Sequence, residues 1–142
     1  MQYRHMGNDR VLARLVVGEE VITSLKALAR TERIPAASLT GLGAVDDVTL
    51  ALYHPVRKEY ITTRLTEELE VATMTGNIAW VGDEPVVHVH GVVSRADCST
   101  AAGHFVQARV SVTLEVMLSI YHDRVIRAPE PSLGLNLLSL AR

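Results

Sequence analysis

Residues 108–122 read ARVSVTLEVMLSIYH, and the alternation inside this stretch sets the reading of the chain. Val110, Val112, Leu114, Val116, Leu118 and Ile120 share one parity, and Ser111, Thr113, Glu115, Met117 and Ser119 share the other. In a strand successive side chains point to opposite faces, so this pattern predicts a long antiparallel strand with one face on a core. The second face is only half polar and carries Met117; it suits solvent or a neighbouring subunit.

Upstream, similar β-like runs recur between turn signals: VLARLVV (11–17), SLTGLGAV (38–45), DVTLALYH (47–54), EYITTRL (59–65), EVATMTGNIAWV (70–81) and PVVHVHGVV (85–93). LNLLSL (135–140) closes the series. Turns are expected at His54-Pro55, at Gly82-Asp83 and between Ser94 and Gly103. One segment has a different period. In EEVITSLKALARTER (19–33), Val21, Ile22, Leu25, Leu28 and Ala29 form a helical stripe, with acids at the start and arginines at the end to suit the helix dipole.

The 142 residues, 48% of them hydrophobic, suffice for one sizeable core, and a single domain spanning 1–142 is expected, with its core at about 10–125 and a C-terminal strand or tail at 126–142. The fold class expected is α+β and sandwich-like, a mostly antiparallel sheet with one main N-terminal helix packed on it. The formal charge of −2 and the scattered Lys and Arg give no general attraction for DNA. One cysteine, Cys98, fits a reducing, cytoplasmic setting. No apolar run is long enough to span a membrane.

Residues 88–104, HVHGVVSRADCSTAAGH, gather three of the six histidines. In a strand His88 and His90 project to one side, roughly 6.5 Å apart, so both imidazoles reach one cation. Zinc and similar ions need a third ligand, and His104, expected on an adjacent antiparallel strand, is the candidate. Three neutral imidazoles with a fourth position open suit hydrolytic or hydrating zinc chemistry. The competing reading is a pair of polar side chains on an exposed or interface face. Glu115 and Glu68 are the carboxylates considered as groups that orient or deprotonate a bound water. Gly41, Gly43 and Gly76 suggest turns or close backbone approach, and Asn77 a bond to backbone near the site.

GLGAV (41–45), Tyr60, ELEV (68–71), TGNIA (75–79), His88-x-His90 and Gly103-His104 before a β-run containing Glu115 occur in an order that resembles the plant and prokaryote conserved (PPC) domain. The resemblance extends over about residues 10–125. It implies a homotrimer and a metal site at His88, His90 and His104, with a divalent transition metal, zinc, as cofactor. It also brings a DNA-binding label, which in plants goes with AT-hooks; this sequence has no such motif. The function expected is therefore a metal-binding homotrimeric module for assembly or regulation, with no small-molecule ligand identified. The alternative is a zinc-dependent hydrolase or lyase.

Overall fold

In the computed structural model, which describes residues 1–140, the alternating run belongs to a strand of 22 residues. In chain order the elements are β1 (Gln2–His5), β2 (Arg10–Val16), α1 (Val21–Thr31), β3 (Ala36–His54), β4 (Glu59–Leu65), β5 (Leu69–Val81), β6 (Glu84–Ser94), β7 (Thr100–Tyr121), β8 (Ile126–Glu130) and β9 (Leu135–Ser139).

Strand β3 pairs with β5 and with β7, and β6 also pairs with both. The sheet therefore closes into a ring, β3–β5–β6–β7, which removes the edges these strands would otherwise expose. Outside the ring, β4 pairs with the C-terminal part of β3, and β2 then β1 extend from the C-terminal part of β7. The tail expected at 126–142 is an antiparallel β8–β9 hairpin, with residues 141–142 outside the described residues. It joins β5 through one parallel bridge, Trp80 to Ile126.

These pairings correct the expected fold class. The chain is not an α+β sandwich built on a main helix: strands dominate, the one helix among the described residues has 11 residues, and the sheet, antiparallel in its other pairings, is mixed through the parallel β5–β8 bridge. Two effects account for the difference. The runs 38–45 and 47–54 are one 19-residue strand, and β7 begins at Thr100, ahead of the turn's expected end. The ring then packs its own interior with Leu39, Val45, Met74, Val89, Phe105 and Leu114, leaving α1 as a cover. That helix lies against β6 and β7 and buries Val21, Leu25, Leu28 and Ala29. Glu20 caps it, its carboxylate accepting from the amides of Ile22 and Thr23 and from Ala108 N of β7.

Val112 also departs from expectation. It is 64% exposed, while Val110, Leu114, Val116 and Leu118 are buried. Val110 pairs with Val45 and Leu114 with Gly43, so β7 passes three residues where β3 passes one, and the bulge turns Val112 outward. Gly43 (φ +153°) permits the crossing, because a Cβ there would overlap the Thr113 carbonyl oxygen.

Candidate metal centre

Ring closure brings β6 against the start of β7, with His90 opposite His104 and Thr100 opposite Ser94. The turn between them is tight, Arg95 to Ser99, with exposed Cys98 at φ +64°. On the other edge of β6, His88 faces Asn77 of β5. Close approach here depends on Gly76, where any Cβ would overlap the His88 carbonyl oxygen.

The three imidazoles form a triangle with ring centroids 5.0, 5.1 and 5.3 Å apart. One ring nitrogen from each lies within 4.8 Å of the others. The Nε2 atoms of His88 and His90 are 3.2 Å apart. Two nitrogens held at about 2.0–2.1 Å from a tetrahedral zinc are about 3.3 Å apart, so this pair already has ligand spacing. Bringing in the third ring takes side-chain movement of up to about 1.5 Å. His104 Nδ1 is buried without a hydrogen-bond partner, and a cation would satisfy its lone pair. The donor set and its spacing fit a divalent transition metal.

Electrostatics keeps two of the rings neutral, the form that ligates a metal. Burial, reinforced by Arg127 and the other two histidines, pushes His88 down from 6.5 to about 4. His104 is lowered by burial and then by His90 and Arg127. Above pH 6.5 His88 is neutral in both the folded and the unfolded chain. As pH falls from 6.5 towards 4, only the unfolded chain takes up this proton, so folding stability declines across that window. The urea midpoint of metal-free protein is therefore expected to be lower at pH 5 than at pH 7, with a smaller difference in His88→Gln. Equal pH dependence in the two proteins would contradict this account.

Around the triangle, Tyr60 of β4 stacks on His104 at 5.4 Å and 26°, and Tyr53 meets Tyr60 edge-on at 5.0 Å. Arg127 of β8 donates through Nη2 to Asn77 Oδ1 (2.9 Å) and approaches His88 Nδ1 at 3.2 Å, while its Nη1 donates to Asn136 O of β9 (3.1 Å). Tyr53, Tyr60, Arg127 and Asn136 line a cavity of about 550 Å³ together with the three histidines.

The sequence-predicted histidines thus come together, whereas the two carboxylates lie elsewhere. Glu115 sits opposite Leu42 of β3 and Arg14 of β2 on an exposed face, and Glu68 is exposed just before β5; neither lines the cavity. Asn77 bonds the Arg127 side chain, where a bond to backbone was expected. Sequence reasoning missed Arg127, Tyr53 and Asn136. The one signal for Arg127 was its place inside VIRAPEP (125–131), a segment whose other residues, apart from Glu130, are apolar or turn-forming.

A family model described as the Plants and Prokaryotes Conserved (PCC) domain matches residues 4–122. A candidate DNA-binding protein from Bacteroides thetaiotaomicron is similar at 29% identity and TM-score 0.94, covering 99% of this chain and 98% of its own. Another so described, from Ralstonia eutropha, is 32% identical with a TM-score of 0.91, over 98% and 96%. A metal-containing protein from Archaeoglobus fulgidus is 25% identical with a TM-score of 0.84, over 96% and 97%. No curated protein matches the chain.

Proposed function

Since the chain belongs to the Plants and Prokaryotes Conserved domain family, we propose that it is a homotrimeric metal-binding module in which His88, His90 and His104 hold a divalent transition metal, zinc, for assembly or regulation. The observation that carries the metal is the convergence of three ring nitrogens within 4.8 Å. The metal content of the Archaeoglobus fulgidus relative supports it. Elemental analysis of native protein is expected to give about one transition metal per chain. Protein that stays metal-free after incubation with zinc would sink the reading.

Support for assembly comes from the outer face of β2, β7 and β3. Leu12 and Met117 are cross-strand partners there, 42% and 56% exposed, and Leu42 is also exposed on the neighbouring strand. Apolar side chains grouped on a sheet face suit a contact between copies. Met117→Glu would place a charge in that contact. Light scattering is expected to show a trimer for wild type and a smaller species for Met117→Glu. A monomeric wild type would remove the assembly part of the proposal.

A second reading, a zinc-dependent hydrolase or lyase, is favoured by the cavity that opens beside the imidazoles. A metal held by three histidines keeps a position for water, which it acidifies. Neither Glu115 nor Glu68 lines the cavity to act as its base.

Direct DNA binding is not part of the proposal, although two relatives carry that description. A net charge of −2 gives no overall pull on phosphates. Among the described residues no helix is long and apolar enough to cross a membrane.

A further inference from the structure

We infer that Arg127 anchors the carboxylate of a small organic acid with an apolar body, bound in the cavity beside His88, His90 and His104. The inference rests on the metal-centre reading for the site's role, while its charge argument holds for the metal-free chain as well.

Arg127 is half-buried, and its three acceptors, Asn77 Oδ1, Asn136 O and His88 Nδ1, are all neutral. No Asp or Glu pairs with it among the described residues, whereas nine other contacts between cationic or histidine groups and acids occur elsewhere in the chain. Its Nε is buried with no acceptor at all. A half-buried guanidinium without an acidic partner lacks a counter-ion, and an anion in the cavity would supply one.

Metal binding strengthens the case through hydrogen-bond accounting. The Nε2 atoms of His88 and His90 face each other, so an ion would be held from that side. A neutral imidazole ligating through Nε2 carries its proton on Nδ1, the atom that Arg127 approaches. Two donors then meet, and one Arg127 N–H needs a new acceptor.

The remaining surroundings indicate which anion. Leu52, Val86, Val87 and Leu137 line the cavity together with Tyr53 and Tyr60, and Arg127 is its only Lys or Arg among the described residues. One cation and apolar walls match a monocarboxylate better than a phosphate, which calls for several donors. The cavity, about 550 Å³, is of a size that holds small ligands.

The test is calorimetric titration of benzoate, benzamide and inorganic phosphate into chelator-treated protein, where metal plays no part. Benzoate is expected to bind, with neutral benzamide weaker by about 10-fold or more and Arg127→Gln reducing benzoate affinity by about 10- to 100-fold. Arg127→Gln is expected to keep the wild-type zinc content, since Arg127 is not a ligand. Absence of benzoate binding, equal affinity for benzamide, or phosphate binding tighter than benzoate would each overturn the inference. So would zinc loss in Arg127→Gln, which would make Arg127 a positioning residue for His88. If Arg127→Gln does not fold, the benzoate and benzamide comparison on wild type decides. A native protein without metal would remove the tripod and leave the titration to judge Arg127 separately.

Discussion

His104→Ala is expected to lose metal almost completely, with affinity falling by at least about 100-fold. Loss of a partner that merely orients a ligand already costs about 10- to 100-fold, and here a ligand itself goes, leaving His88 and His90 alone. The fold should survive. His104 is only half-buried, and outside the histidine triangle its ring stacks on Tyr60 at 5.4 Å, a contact worth about 0.5–1.5 kcal/mol. The measurement is metal per chain after zinc incubation and gel filtration, with a circular dichroism melt on the same sample. A full metal complement in a folded His104→Ala protein would show that the ion sits elsewhere.

The neighbouring residue predicts the opposite outcome. Phe105 is 1% exposed and is the chain's only phenylalanine. Its ring edge occupies the space beside Gly91 where a Cβ would otherwise lie, which locks β7 against β6 one residue from the site. Phe105→Ala should destabilise the protein by about 3–5 kcal/mol, combining lost transfer energy with a cavity that the closed ring cannot collapse around. A domain of this size is typically stable by about 5–15 kcal/mol, so the variant would sit near its folding threshold. Urea unfolding at pH 7 measures it, and a loss below about 1 kcal/mol would mean that this part of the core is soft. The two variants, adjacent in sequence, thus separate ligation from packing.

Features encoded by local period were legible in the sequence. The stripe Val21, Leu25, Leu28 and Ala29 is the buried face of α1, and each β-like run falls within a strand to within one residue at its end. His88 and His90 share a side because strand geometry requires it, and a short polar turn suffices to bring His104 opposite. What escaped depends on distant pairing. Ring closure joins β3 to β7 and to β5 through partners that no window of sequence displays. Arg127 reaches the site only because Ile126 bridges Trp80 in parallel, and a five-residue strand with a proline inside has little periodic signal. Val112 had the right parity and the wrong face, because a bulge is a property of two strands and alternation describes one. Tyr53 and Tyr60 line the cavity through the pairing of β3 with β4.

All three imidazoles lie on a single hairpin, between residues 88 and 104. The denatured ensemble therefore keeps the whole ligand set within a short contour length, and an ion can chelate the unfolded chain as well as the native one. Added metal then raises the melting temperature by less than its native affinity implies, because linkage counts only the difference between the two states. If His88, His90 and His104 hold the ion as proposed, the same proximity would let ligation precede closure of the ring.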